Sequence, residues 1–369
     1  MITSLEIKGY KSIKEMRLEL KPVNVLIGSN GSGKSNFISF FKFLSAVFKG
    51  QLQRFIIEHK TDNILYFGRK TTESLFGRLE FCYGKVNTFS YSFRLDQDKE
   101  GGLVIQEEGV GYNPSESPKK WFYHSQAGYE SKIQNATSVK DRTLVFDYVK
   151  NVLVYHFHDT SSTSYLRRSC DITDNKVLKP DGRNLPAFLY DLKIKHPVIY
   201  KRIIKTVQSV APYIYDLILE PGSVPGKESE IELRWIDASD LESNFSAYQF
   251  SDGTLRFIAL ATLLLQPDPP SVIIVDEPEL GLHPMAISKL AGMVQSASAK
   301  AQVIVSTQSV NLVDCFAPED IITVDRDGKG KQSIFNRLDP HELEDWLKGH
   351  SLGELWSRNI INSAQPFTK

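Results

Sequence analysis

Apolar residues run along this chain in three rhythms. Short unbroken runs stand at 2–7, at 23–28 (VNVLIG), at 151–159 (NVLVYHFHD), in SVIIVDEPE and in AQVIVSTQS. Runs of this length, rich in Val and Ile and bounded by small or polar residues, read as buried strands. The first two flank the charged stretch 11–19. Strict alternation fills 76–110 and breaks at Gly84-Lys85 and Gly101-Gly102, which predicts an antiparallel meander. Helical spacing follows the run at 23–28, over 35–48. It returns across 183–218, with Leu185, Phe188, Leu189 and Leu192, then Val198, Ile199, Ile203, Ile204 and Val207. SVIIVDEPE and AQVIVSTQS are separated by a helix of about fifteen residues, which implies parallel strands joined by helical crossovers. The polar segment 111–140 reads as a loop and PGSVPGKESE (221–230) as a turn-rich break. The tail reads as a hairpin, DIITVDRDGKGKQSIFNRL, followed by helix in ELEDWLKGHSLGELW. There is no internal repeat and no long heptad array.

Composition narrows this picture. In 369 residues, 41% are hydrophobic and 24% charged, the profile of a globular chain. Lys+Arg and Asp+Glu are equal at 44 each, so no global basic field recruits nucleic acid, although a local basic face remains open. Cys82, Cys170 and Cys315 lack C-x-x-C spacing, which argues against zinc and against a disulfide framework and fits a reducing cytoplasm. The N-terminus has no secretory pattern, and no run of about 18 apolar residues marks a membrane span. The expected location is the cytoplasm, with no membrane partner.

Chemistry concentrates in a few places. Gly28-Ser-Asn-Gly-Ser-Gly33-Lys34-Ser35 matches G-x-x-x-x-G-K-[ST] between an apolar strand and a helix, the context a phosphate-binding loop requires. Its glycines let backbone wrap a phosphate, and helix-start amides point at it. Asn30, Gly31, Ser32, Gly33, Lys34, Ser35 and Asn36 are the candidate ATP contacts. Lys34 supplies countercharge to the β- and γ-phosphates and Ser35 a hydroxyl for Mg²⁺. Val272-Ile-Ile-Val-Asp276-Glu277-Pro278 ends a buried strand in two acids, where α/β proteins bind ligands. Asp276 then serves Mg²⁺ and Glu277 polarises the attacking water. His156 and His158, spaced i, i+2, share a strand face, a geometry compatible with a metal. Ser251-Asp252-Gly253 heads an apolar helix, as an ordinary N-cap or as a second anion contact.

The order of phosphate loop, FSDGTLR, apolar-DEPE and STQS resembles the ABC-type ATPases of the SMC/RecF-like branch. The resemblance runs from Leu5 to Trp356. IKGYKSIKEM, DGRNLPAFLYDL and SLGELW are similar to stand-alone ATPases related to the ATPase half of OLD-type anti-phage nucleases. It implies an α/β, ABC-type P-loop ATPase fold with an antiparallel β subdomain and a helical lobe, without a long coiled coil. The expected divisions are 1–160 (P-loop and β subdomain), 161–250 (helical lobe) and 251–369 (the rest of the core). In such proteins the S-x-G corner touches the γ-phosphate held by a second subunit, so Ser251 and Gly253 are expected to complete a partner's site. Gln308 stands where the family usually has a catalytic histidine. Glutamine can hydrogen-bond a phosphate but carries neither proton nor charge. YHFHDT (155–160) falls where the family places a Mg²⁺-contacting glutamine, leaving His158 and Asp159 as candidates. GLHP (281–284) takes the place of the loop after the acids. His283 there either reaches across a dimer axis or belongs to a turn before a helix opened by Pro284.

The resemblance therefore implies an ATP- and Mg²⁺-dependent switch, a homodimer or higher assembly. It would control a nuclease or toxin-like effector encoded nearby, in anti-phage defence or a toxin–antitoxin-like system. The alternative is a RecF-like DNA-repair ATPase whose dimer clamps DNA; no sequence sign supports a transporter motor. The stretch after Ser309 is short for a nuclease domain, so an ATPase without its own nuclease is expected.

Overall fold

The charged stretch 11–19 is a strand. In the computed structural model of the chain, which describes all residues except 84–86, 114–119, 134–151, 223–228, 329–330 and 362–369, β1 (Ile2–Tyr10) turns at Lys11 into β2 (Ile13–Glu19). β2 buries Ile13, Met16 and Leu18 and exposes Lys14, Glu15, Arg17 and Glu19. Its charges mark an edge strand, whose outer side must resist pairing with another chain.

The chain divides into two units. The first contains 1–153, 270–274 and 301–369; the second contains 154–269 and 275–300.

The first unit carries an antiparallel sheet in the order β2-β1-β4-β5-β6-β7, adding β4 (Ser74–Tyr83), β5 (Asn87–Gln97), β6 (Leu103–Asn113) and β7 (Lys120–Gly128). The meander is as expected, with its Gly84-Lys85 break outside the described residues. β7 corrects the reading of 111–140 as a loop throughout. It lies antiparallel to β6, Glu108 opposite Ser125, so its backbone groups find partners although its sequence does not alternate. Just beyond it, buried Glu108 accepts from Tyr91 Oη (2.6 Å), Ser131 Oγ (2.5 Å) and Lys132 N (3.1 Å), fastening the chain at 131–132.

A second sheet has the order β17-β16-β3-β15-β14-β8, with β3 (Val23–Ile27), β8 (Val152–Tyr155), β14 (Val272–Asp276), β15 (Gln302–Thr307), β16 (Ile321–Arg326) and β17 (Ser333–Arg337). Wholly buried β3 lies parallel to both β15 and β16. The chain passes between units within β8 and β14. β8 is shorter than the apolar run 151–159 because, at its end, His156 N turns away to Pro180 O (2.9 Å).

Helix α1 (Lys34–Phe48) follows β3 and buries Phe37, Phe40, Phe41, Phe43 and Phe48. Phe40 meets Tyr10 edge-on at 5.2 Å and stacks near Phe93 at 6.4 Å, so the helix is seated on the antiparallel sheet. Each such ring contributes about 1.5–3 kcal/mol on burial, which fixes the helix start as a rigid platform. α2 (Leu52–His59) receives both oxygens of Glu130 at its first amides (2.8 and 2.9 Å), and α3 (Thr61–Ile64) follows.

In the second unit the helical pattern over 183–218 resolves into α4 (Leu185–Lys195) and α5 (Pro197–Gln208), broken where Pro197 cannot continue the first helix. Its end is a strand, β10 (Ile214–Ile218), in the sheet β10-β12-β13 with β12 (Arg234–Asp237) and β13 (Asn244–Ser246). β9 (Cys170–Asp171) pairs with β11 (Glu230–Ile231). α6 (Asp252–Leu265) and α7 (Pro284–Ala297) complete this unit. The predicted tail hairpin is β16–β17, antiparallel. α8 (Val310–Val313), α9 (Pro340–Leu347) and α10 (Leu352–Ser357) belong to the first unit. Among the described residues the longest helix has 15 residues, so there is no long coiled coil, and none is long and apolar enough to cross a membrane. All three cysteines are free thiols.

Candidate nucleotide-binding site

The loop between β3 and α1 is shaped as an anion cradle. α1 starts without a side-chain cap, so its first-turn amides have no capping oxygen and face the loop. Lys34 is 5% exposed, and its Nζ donates to Gly28 O (2.6 Å) and Ser29 O (3.2 Å). The ammonium is thus held over the loop by neutral carbonyls, which an anion can replace at a gain. Ser32 Oγ is buried without a hydrogen-bond partner, a condition that costs about 1–3 kcal/mol. An orphaned buried hydroxyl within a ring of amides is what a phosphate oxygen would satisfy. Ser35 is exposed and Asn36 half-buried at the first turn.

Gly33 is required twice. Its φ is 125°, and a Cβ there would collide with Ser333 Oγ and come within 2.7 Å of Ser333 Cβ. Gly33→Ala should lower stability by about 1–3 kcal/mol and remove the rise in Tm that ATP gives the wild type. Thermal unfolding with and without ATP checks this; an undiminished ATP-dependent rise would contradict it.

A brace that the motif does not reveal holds the cradle. Ser333 Oγ, on β17, donates to Ser32 O and lies 2.7 Å from Ser12 Oγ, which accepts from Asn36 Nδ2 at 2.7 Å. Arg326 Nε donates to Gly31 O (3.0 Å). Phe335 packs on Phe37 at 5.4 Å. The only signal in the sequence was small polar residues beside apolar ones: Ser12 at the turn between β1 and β2, Ser333 ahead of Ile334 and Phe335. Beside the cradle, burial pushes Asp325 up to about 6.

Gln308 is in the same unit. β15 pairs with β3 through Thr307 opposite Ile27, so Gln308, exposed, follows at the level where the loop begins. Thr307 Oγ1 accepts from Ser309 N (2.9 Å), and Ser309 Oγ caps α8. Ser306 Oγ is fully buried without a hydrogen-bond partner.

The remaining candidates lie in the second unit. Ser251 caps α6: its Oγ accepts from Thr254 N (3.2 Å) and lies 2.8 Å from Thr254 Oγ1, which in turn meets Tyr213 Oη at 2.9 Å. The capping role is therefore real, and it holds an exposed hydroxyl at the corner. A Cβ on Gly253 would strike Gly281 O, so glycine there lets the corner close against 280–283. Glu277, after the last residue of β14, has φ 40°. A non-glycine residue in that region costs of order 1–3 kcal/mol and such strain clusters at functional positions. Asp276 and Glu277 are partly exposed. His283 caps α7, accepting from Met285 N (3.3 Å). Asp159 Oδ1 accepts from Ser161 Oγ (2.7 Å) and Ser161 N (3.0 Å), which holds its carboxyl below the usual range. His156 and His158 have ring centroids 6.1 Å apart, and among the described residues no three His, Cys, Asp or Glu gather as a metal site.

Two buried arginines that the motif search did not single out organise this corner. Arg167 reaches Thr160 O (2.8 Å), Ala247 O (2.5 Å), Phe250 O (3.2 Å) and Asp252 Oδ1 (2.7 Å). Arg256 donates to Phe157 O and His158 O, both at 2.9 Å. Together they join the segment 157–160 to the start of α6. Arg256 was the findable one, because an arginine inside DGTLRFIALATLLL has only buried surroundings in which to lie.

A cradle between a buried parallel strand and an uncapped helix, on a mixed sheet with an appended antiparallel sheet, defines a P-loop ATPase fold of the SMC-head kind. An Smc head bound to the C-winged helix domain of ScpA has this fold, at 17% identity and a TM-score of 0.59 over 92% of this chain and 99% of that one. So does an Smc head with an extended coiled coil bound to the C-terminal domain of ScpA, derived from Pyrococcus furiosus, at 16% identity and a TM-score of 0.55 over 94% and 98%. The chain belongs to the family described as "AAA domain, putative AbiEii toxin, Type IV TA system", whose model matches residues 23–314. Its fold is that of an ABC/SMC-type ATPase head. No curated protein matches the sequence.

Proposed function

We propose that this chain is an ATP-driven dimer switch that controls a partner effector. The observation that carries the reading is the preformed cradle, with uncapped α1, Lys34 folded over the loop and Ser32 Oγ awaiting an acceptor or donor. In this reading Asn30 to Asn36 hold the triphosphate, with Lys34 as its main countercharge. Ser35 and Asp276 offer the hard oxygens that Mg²⁺ prefers, and the ion would neutralise phosphate charge during transfer. Glu277 orients the attacking water and takes its proton. Gln308 contacts the terminal phosphate as a neutral hydrogen-bonding group. Asp159 sits in a low-pKa turn suited to a water of the ion's outer shell.

Dimerisation is supported by what surrounds Ser251. The corner is exposed and rests on the loop at 281; Leu280 of that loop (44% exposed) and Met285 at the head of α7 (50% exposed) face solvent. Apolar side chains around a polar corner suit a surface that a second copy covers. In the closed dimer Ser251 and Gly253 of one chain face the nucleotide of the other. The effector reading is a nuclease or toxin-like protein in a defence or toxin–antitoxin system; of this, the toxin–antitoxin setting is in keeping with the family's description, which names a putative toxin of a Type IV TA system.

Ser251→Arg tests the shared site. Each chain should still bind ATP with affinity within about twofold of wild type, while hydrolysis falls about 100-fold, the scale of losing a donor aimed at the transition state. Steady-state ATPase assays and equilibrium ATP binding read both. Undiminished hydrolysis would mean that each chain completes its own site.

A further inference from the structure

We propose that Tyr213 is a positioning residue for Ser251: acting through Thr254, it fixes the direction in which the Ser251 hydroxyl proton points. This rests on the reading in which Ser251 faces a phosphate held by a second chain. Three hydroxyls stand in line within the second unit. Tyr213 Oη lies 2.9 Å from Thr254 Oγ1, and Thr254 Oγ1 lies 2.8 Å from Ser251 Oγ. Ser251 Oγ also accepts from Thr254 N (3.2 Å). An N-cap needs only this last bond. The two hydroxyl contacts go beyond what capping requires, and the outer one comes from a residue 41 positions away.

The ring of Tyr213 is held in place for this contact. Its backbone carbonyl accepts from Ala238 N (2.8 Å), just ahead of β10. The ring stands edge-on to Trp235 at 5.4 Å. Trp235 is buried, stacks on Phe250 at 5.3 Å and lies 4.8 Å from the ring of Phe245. Phe250 is the residue before Ser251. The sheet β10-β12-β13 therefore holds the corner from two sides, by packing at Phe250 and by the hydroxyl line at Thr254.

Each hydroxyl has one proton and two lone pairs. The phenol is the most acidic of the three and the weakest acceptor, because its oxygen shares electron density with the ring. It therefore donates at the head of the line, to Thr254 Oγ1, and Thr254 donates its own proton to Ser251 Oγ. Ser251 Oγ then accepts twice, from the amide and from the hydroxyl of Thr254, and both its lone pairs are engaged. Its proton is left to point outward from an exposed corner. A phosphate oxygen only accepts, so this is the orientation that binds it. The reverse order, with Ser251 donating to Thr254, turns a lone pair toward the anion. In open solvent, water interchanges the two orders. Once a second chain covers the corner, water no longer corrects a misplaced proton, and the lower local dielectric makes each hydrogen bond count for more. Hydroxyls donating in one direction also polarise one another, which strengthens the last donor in the line.

The test is a double-mutant cycle read by ATP hydrolysis at saturating ATP and protein. Tyr213→Phe keeps the ring on Trp235 and removes the first donor. It should lower kcat about five- to tenfold, the scale of one hydrogen bond, with Tm and the ATP affinity of each chain as in wild type. Thr254→Val should lower kcat by a similar factor, and Thr254→Ser, which keeps the hydroxyl, should recover most of that loss. Ser251→Ala should lower kcat about 100-fold. On the Ser251→Ala background, Tyr213→Phe should change kcat by less than about twofold, because no serine proton is left to direct. A loss of equal size with and without Ser251 would overturn the proposal and leave Tyr213 a packing role only. So would a Tyr213→Phe protein with wild-type kcat while Ser251→Ala is impaired. Undiminished hydrolysis in Ser251→Ala, or none in wild type, would instead overturn the shared-site reading, and this proposal with it.

Discussion

Lys34→Ala should reduce ATP affinity by at least about 100-fold. The ammonium lies over the loop on two carbonyls, 2.6 and 3.2 Å away, and is nearly buried. It is desolvated before ligand arrives, so part of the cost of placing a charge there is met by folding. A hydrogen bond to a charged group is worth about 1.5–3 kcal/mol, and two phosphates share this one. The substitution leaves the cradle's amides, so weak nucleotide contact survives, but the balance of charge does not. Calorimetric titration with ATP and Mg²⁺ measures the loss. Affinity within a few-fold of wild type would remove Lys34 from the site.

Glu277→Gln should retain ATP binding and lose hydrolysis by about 10²- to 10⁴-fold, the contribution of a positioned general base. The amide has the same shape, so the strained backbone at φ 40° is kept and stability should change by no more than about 0.5 kcal/mol. What is lost is the ability to accept a proton. Single-turnover hydrolysis separates this from a binding defect. A variant with near-wild-type turnover would show that another group activates the water, with Asp276 and Gln308 the next to examine.

The parts of this account that could be read from the sequence are those set by local rules. The loop from Gly28 to Ser35, the strand ending at Asp276 and the cap at Ser251 each depend on neighbours within a few residues, and each stands where the motif places it. The antiparallel meander followed from alternation, and α1 from its helical spacing behind the loop. β2 was hidden by its charges, because an edge strand shows solvent one face and its free edge. β7 was hidden because its sequence does not alternate, Trp121, Phe122 and Tyr123 standing together, and its pairing with β6 is what makes it a strand. The brace of Ser12, Ser32, Asn36 and Ser333 joins residues more than 300 positions apart, which no local pattern reports. Arg167 is of the same kind: four acceptors, at Thr160 and within 247–252, define its place. Such residues carry no motif, yet they fix the position of the residues that do.

The arginine pair also gives the proposed switch a physical form. Arg167 and Arg256 attach the segment 157–160 to the head of α6, with Arg167 bonding Phe250 and Asp252 on either side of Ser251. The corner that a second copy would meet is therefore tied to the segment whose Asp159 is proposed to sense the ion.

The central claim, that two copies close over ATP, is tested most directly by the native mass of the Glu277→Gln protein. Binding without turnover should hold the closed state. With ATP and Mg²⁺ the account predicts the mass of a dimer, or a multiple of it, which falls when nucleotide is removed. A single-chain mass in both conditions, at ATP concentrations shown to saturate the site, would contradict it.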